Sequence, residues 1–202
     1  LDVFHAGLLL ILTRQCEHLV RHVEPVCLAR GPDTLGRQQQ VEAAVGARAC
    51  AVILRVLTAP SAAGLAAFRT FGVAHEVTMY LQPGGLDTVV PVDGEPAALD
   101  YALPDFDLRL AFEPVDFIQI NAAINQALVG RAVRLLDAGP RDRVLDLFCG
   151  LGNFTLALAR RAASVVGVEA DAGLIGRARA NALRNGIDNA AFHVGDLAAP
   201  DI

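Results

Sequence analysis

Apolar and polar positions follow two different rhythms along the chain. From residue 112 onward, short apolar runs at Val144–Phe148, Ser164–Val168 and Ala191–Val194 alternate with stretches of helical period. Runs of this kind suit strands covered on both faces. The intervening stretches predict helices over Ile118–Leu136, Asn153–Arg161 and Ala172–Arg184. In the first, Ile120, Ile124, Leu128, Leu135 and Leu136 fall near helical spacing. Gly139-Pro140 ends that helix, and Asn185-Gly186 stops the last one. A βαβαβ order implies a parallel sheet with helices on its faces, the first half of a doubly wound α/β domain.

Residues 1–111 read as a small α+β domain. Ala51–Leu57 is an apolar, β-rich run. Ser61–Phe71 predicts a helix, with Ser61 as its cap and Leu65, Phe68 and Phe71 near one face. Val77–Leu81 predicts a strand closed by the turn Gln82-Pro83-Gly84-Gly85. Thr88–Val92 and Leu108–Phe112 complete the set of expected strands. The expected domain boundaries are therefore 1–111 and 112–202.

Composition narrows the setting. The chain has 202 residues, 53% of them hydrophobic and 19% charged, which is a globular balance. A net charge of −5 counts against nucleic-acid binding by this chain alone, leaving room for a local Arg patch. Cys16, Cys27, Cys50 and Cys149 are scattered without a C-x-x-C, so a reducing cytoplasm is expected. Gly7–Leu12 is too short to span a bilayer, and no membrane is expected. No protein partner is indicated. The chain opens on Leu1, and its expected parallel sheet would end on an open edge; it reads as a fragment.

The candidate chemistry lies where the first parallel strand meets its helix. Asp146-Leu147-Phe148-Cys149-Gly150-Leu151-Gly152-Asn153 runs from a strand into a glycine turn. Open α/β sheets bind ligands at the carboxyl ends of their strands. Gly150 and Gly152 allow a tight bend and close approach to a ligand. Glu169 ends the next strand, where a carboxylate can accept hydrogen bonds from both hydroxyls of a ribose. Asp196 follows the third strand, placed for the adenine end of the same ligand. The plainer alternative is that the glycines serve packing alone. A dinucleotide is the rival ligand, but its G-x-G-x-x-G fingerprint fails at Thr155. The order of turn and acids favours S-adenosylmethionine.

These residues carry a family resemblance. Asp146–Leu156 resembles the corresponding motif of bacterial 23S rRNA uracil-C5 methyltransferases, a branch of the RNA m5U methyltransferase family. Phe112-x-Pro114-x-Asp116-Phe117-x-Gln119-x-Asn121 resembles the segment that precedes it there. Gly167-Val168-Glu169 and Ala178-Arg179-x-Asn181-Ala182-x-x-Asn185-Gly186 extend the likeness, and Leu81–Val92 carries it weakly into the first domain. The resemblance implies the first half of a Rossmann-like class I methyltransferase domain preceded by the small α+β domain. It implies Gln119, Phe148, Asn153, Glu169 and Asp196 as cofactor contacts beside Gly150 and Gly152, with Gln119 at the start of a helix. Read by itself, Gln119 is a polar residue satisfying backbone groups at a helix start.

The implied reaction is S-adenosylmethionine-dependent methylation of a uracil C5 in 23S rRNA. Its catalytic Cys and general base are expected beyond Ile202, so no catalytic residue is assigned within this chain. Cys149 reads as a small buried hydrophobe. The resemblance also implies a 4Fe-4S cluster in the full-length protein, with Cys16 near one ligand position. One thiolate cannot hold a cluster, and Cys16, His18, His22 and Cys27 match no usual zinc spacing. His5, His75 and His193 read as ordinary surface or core residues. A tRNA uracil-C5 methyltransferase, a dinucleotide-dependent oxidoreductase core and a non-catalytic RNA-binding module are the other readings.

Overall fold

The computed structural model describes residues 38–119 and 121–197. They form two compact units. One comprises residues 38–99 with 113–119, the other residues 100–112 with 121–197. Cys16, His18, His22 and Cys27 lie outside the described residues.

The first unit is built on a four-stranded sheet, β1 (Gln38–Val45), β2 (Cys50–Val56), β3 (Thr78–Gln82) and β4 (Val90–Pro91), in that order. β1 runs antiparallel to β2, β2 parallel to β3, and β4 antiparallel to β3. The parallel step from β2 to β3 needs a crossover, supplied by helix α1 (Ala62–His75). Ser61 caps α1 as expected, its side chain accepting a hydrogen bond from the Gly64 amide at 3.1 Å. Leu54, Val52 and Val56 of β2 pack with Phe68 and Phe71 of α1 and Met79 of β3 to form the core. The strand expected over Thr88–Val92 is shortened to Val90–Pro91: Thr88 closes a 3₁₀ turn (Leu86–Thr88), and the Val92 amide still bonds to Met79 O at 2.8 Å. Gly84-Gly85 lets that turn form, with the Thr88 hydroxyl bonded to Gly85 O and the Gly84 amide bonded to Thr88 Oγ1.

The second unit begins earlier than the expected boundary at residue 112. A hairpin of β5 (Asp100–Leu103) and β6 (Leu108–Ala111) belongs to it. The cause is a pair of asparagines on helix α4 (Ala172–Arg184) and at its end. Asn181 Oδ1 accepts from the Ala111 amide at 2.8 Å, and its Nδ2 donates to Ala111 O at 3.0 Å. Asn185 does the same to Arg109, at 2.8 and 2.9 Å. Residues 109 and 111 sit two apart on a strand and residues 181 and 185 one helical turn apart. The two amides thus satisfy backbone groups on the free edge of β6 as another strand would. Arg160 adds hydrogen bonds to the carbonyls of Phe106, Asp107 and Asn185. Asp100, 3% exposed in its side chain, is bonded by Arg109 at 3.0 Å.

The expected βαβαβ order is present. β7 (Arg143–Leu147), β8 (Ser164–Glu169) and β9 (Ala190–Val194) form a parallel sheet in that order, joined by α3 (Thr155–Ala159) and α4. α4 matches the expected span. α3 is shorter than the expected Asn153–Arg161, because Leu151–Phe154 is spent on the turn that precedes it. α2 covers Ala122–Leu136, starting later than the expected Ile118. Asn121 stops it from extending backward: its side chain takes the Ile124 amide at 3.0 Å from an extended backbone. The buried face of α2 is Asn125, Val129, Gly130 and Val133, not the larger Ile124, Leu128, Leu135 and Leu136, which are exposed. No helix among the described residues is long and apolar enough to cross a membrane.

Candidate functional site

The parallel register sets where the site residues meet. Leu147 pairs with Val168, and Glu169 with Val194, so the three strands end nearly level. Phe148, Glu169 and Asp196 follow or close β7, β8 and β9 at that common carboxyl end. The Gly195 amide bonds to Glu169 O at 3.0 Å, and the Cys149 amide to Val168 O at 3.0 Å, extending the ladder past the strands.

Three residues of the turn have left-handed backbone. Phe148 has φ 61°, Gly150 φ 55° and Gly152 φ 98°. Glycine takes such angles at little cost, whereas an aromatic residue there is strained. Phe148 is also 72% exposed, so its burial does not repay the strain. Strain of this kind persists where the surroundings impose it, and it clusters at ligand sites. A Cβ on Gly150 would meet nothing within 4 Å, so the turn has an open side there. A Cβ on Gly152 would come within 3.1 Å of Leu156, at the tight start of α3.

Glu169 bridges the strand end and the turn. Its Oε2 accepts from the Gly150 amide at 3.2 Å, while Oε1 accepts from the amides of Ala170 at 2.8 Å and Asp171 at 3.3 Å. A carboxylate has about four acceptor positions, so roughly one remains for a ligand. That is fewer than the two hydroxyls expected from sequence. A diol is gripped at both oxygens only if one backbone amide is released.

Asn153 is held from the other side. It exchanges reciprocal amide bonds with Asn125, at 2.9 and 3.0 Å, and accepts from the Tyr101 hydroxyl at 2.9 Å. Neither Tyr101 nor Asn125 stands out in the sequence; a polar residue in a helical stretch reads as a solvent-facing position. Asp146 was likewise missed. It accepts a hydrogen bond from the Thr155 hydroxyl, and burial pushes its carboxyl up against the lowering effect of the Thr155 bonds. Thr155, at the third fingerprint position, is fully buried and serves this bond.

Cys149 is 5% exposed, and its Sγ lies against Gly167, where a Cβ would come within 2.9 Å of it. Burial, and then the charges of Asp146 and Glu169, push its thiol up to about 11. A thiol held neutral in this way is a poor nucleophile. Gln119 is exposed and precedes α2 rather than starting it. It belongs to one unit and the glycine turn to the other. Among the described residues, no group of three or more His, Cys, Asp or Glu could hold a metal ion.

Comparison with known proteins gives a consistent picture. The tRNA (Uracil-5-)-methyltransferase family matches residues 100–199. A 23S rRNA (uracil(1939)-C(5))-methyltransferase RlmD of Xanthomonas campestris pv. campestris is 51% identical over 170 residues, covering 84% of this chain and 38% of that protein. The RlmD protein of Stenotrophomonas maltophilia is 52% identical over 158 residues, covering 78% of this chain and 36% of its own length. The chain thus spans under two-fifths of these curated relatives. Among solved structures, the Pyrococcus abyssi tRNA (uracil-54, C5)-methyltransferase, in complex with S-adenosyl-L-homocysteine, aligns with a TM-score of 0.61 at 18% identity. That alignment covers 91% of this chain and 46% of that one.

Proposed function

Because the chain belongs to the RNA uracil-C5 methyltransferase family, we propose that it carries the S-adenosylmethionine-binding part of an enzyme that methylates a uracil C5 in 23S rRNA. The single observation behind the cofactor reading is the strained Phe148–Gly152 turn, tied to the Glu169 carboxylate at the carboxyl ends of parallel strands. Phe148, Gly150, Gly152, Asn153, Glu169 and Asp196 would hold the cofactor, and Gln119 joins them through the family resemblance alone. Glu169 offers acceptors to ribose hydroxyls, and Gly150 leaves open space for close approach.

When bound, the cofactor supplies an electrophilic methyl group on sulfur. This chain's residues bind and orient that donor. Activation of the uracil ring needs a nucleophile, and Cys149 is unsuited to the task by burial and raised pKa. The ribosomal substrate rather than tRNA is favoured by the RlmD relatives at about half identity. A 4Fe-4S cluster in the full-length protein belongs to the same reading, with Cys16 as one ligand; the described cysteines, Cys50 and Cys149, cannot make up the other three thiolates.

The test is binding by the 202-residue chain. Isothermal titration with S-adenosylhomocysteine should give saturable binding, and titration with NADH should give none. The reverse result would make the chain a dinucleotide-binding core.

A further inference from the structure

Tyr101, Asn125 and Asn153 come from three separate elements, the hairpin strand β5, the first turn of α2 and the glycine turn. Their side chains form a closed set of hydrogen bonds. The oxygen of Asn153 accepts twice, from Tyr101 at 2.9 Å and from Asn125 Nδ2 at 3.0 Å. Its nitrogen donates once, to Asn125 Oδ1 at 2.9 Å. An amide oxygen has two lone pairs and an amide nitrogen two hydrogens. Both lone pairs are therefore spent and one hydrogen is left. A half-buried Asn153 in this state can offer a ligand an N–H and nothing else. Asn125 is 3% exposed, so releasing Asn153 would strand a buried amide. Burial raises the Tyr101 phenol well above its ordinary range, which keeps its hydrogen in place as a donor.

The position of Asn153 says which part of a ligand that N–H would meet. The strand order is β9–β8–β7, and along it lie Asp196, Glu169 and the glycine turn. The cofactor is linear: adenine, ribose, then the amino-acid end. With adenine toward Asp196 and ribose at Glu169, the amino-acid end falls on the β7 side. Of its two charged groups the ammonium only donates and cannot receive an N–H. The carboxylate only accepts. We propose that Tyr101 and Asn125 are positioning residues, which fix Asn153 as a donor for the carboxylate of the cofactor's methionine end. This rests on the S-adenosylmethionine reading given above.

Two probes separate the inference from that reading. S-adenosylhomocysteine carries the amino-acid end; 5′-methylthioadenosine keeps adenine, ribose and sulfur but lacks it. Titrate both into the wild-type 202-residue chain and into Tyr101→Phe. The wild type should bind S-adenosylhomocysteine more tightly. In Tyr101→Phe that affinity should fall about tenfold, the effect of losing one well-placed hydrogen bond, while methylthioadenosine should change by less than about twofold. A purely structural role would weaken both probes alike, and that result, or no change for either, overturns the proposal. Should Tyr101→Phe not fold by circular dichroism, the wild-type side-chain amide signals of Asn153 provide a second measurement by NMR. They should move with S-adenosylhomocysteine and stay with methylthioadenosine; equal movement overturns the proposal. Equal wild-type affinity for the two probes overturns it while leaving the cofactor reading intact. Binding of neither probe overturns both.

Discussion

Glu169 Oε2 accepts a hydrogen bond from the Gly150 amide at 3.2 Å, so the end of β8 and the glycine turn after β7 are held by one carboxylate. The same side chain is the expected ribose acceptor. In that reading it would act twice, shaping the turn before a ligand arrives and then accepting from a ligand that has to compete with the amides of Gly150, Ala170 and Asp171. Glu169→Ala should weaken S-adenosylhomocysteine binding by about 1–3 kcal/mol, the cost of losing hydrogen bonds to a charged acceptor. Glu169→Gln keeps one acceptor oxygen and should fall between. Calorimetric titration of the three proteins checks this, and equal affinities in all of them would remove Glu169 from the site.

Asn181 should be as important to stability as any apolar core residue of its unit. It is 1% exposed and bonds both backbone groups of Ala111, with a further bond from Nδ2 to Leu151 O at 3.3 Å. Asn181→Ala leaves the part-buried backbone groups of Ala111 and the buried Leu151 carbonyl without these partners, which predicts a loss of about 2–4 kcal/mol. Asn185→Ala acts at a less buried position and should cost about 1 kcal/mol. Urea denaturation followed by circular dichroism gives both values. A loss for Asn181→Ala no larger than that for Asn185→Ala would mean the β6 edge finds other partners.

The βαβαβ order of the second unit was legible because its strands are apolar runs and its turns carry Gly, Asn and Pro. Ala172–Arg184 was legible to the residue from its period and its Asn185-Gly186 stop, whereas its cap, Asp171, emerges only in the structure. β1 was not legible. Gln38-Gln39-Gln40-Val41-Glu42 has no apolar alternation, since an edge strand need bury little and its pairing is carried by backbone. The buried face of α2 is not legible from spacing for a related reason. Size and hydrophobicity favoured Ile124 and Leu128, whereas the structure buries Asn125, whose amide is matched to Asn153. Periodicity cannot weigh a polar side chain whose partner lies elsewhere in the sequence. The positions of Glu169 and Asp196 at strand ends followed from strand order. The engagement of Glu169 with three backbone amides did not, because it depends on the shape of the turn.

Cys149 supplies a pH-dependent signature. Its thiol sits at about 11 in the fold against an ordinary 9.0. For an acid raised on folding, the buried neutral form is favoured at low pH and the unfolded chain releases the proton first. The contribution is whole below pH 9, and stability declines as pH rises from 9 through 11. Relative to Cys149→Ala, the wild-type urea midpoint should be constant from pH 6 to about 8.5 and should then fall. A flat difference up to pH 11 would mean the thiol is not shielded as its burial implies.

Cofactor binding and methyl transfer should separate in this chain. Uracil C5 becomes nucleophilic only after a thiolate has added to C6, and proximity to a methyl donor does not replace that addition. Cys149 is the last cysteine in the sequence, and it is buried, neutral and packed against Gly167. The 202-residue chain should therefore bind radiolabelled S-adenosylmethionine yet transfer no label to unmodified large-subunit RNA. It should form no covalent adduct with RNA containing 5-fluorouridine, whose C5 fluorine cannot leave as a proton and would trap a thiolate bound at C6. A longer protein that includes a downstream cysteine should do both. Label in RNA from the 202-residue chain that disappears in Cys149→Ser would make the turn cysteine the nucleophile, and would require the turn to open far enough to expose it.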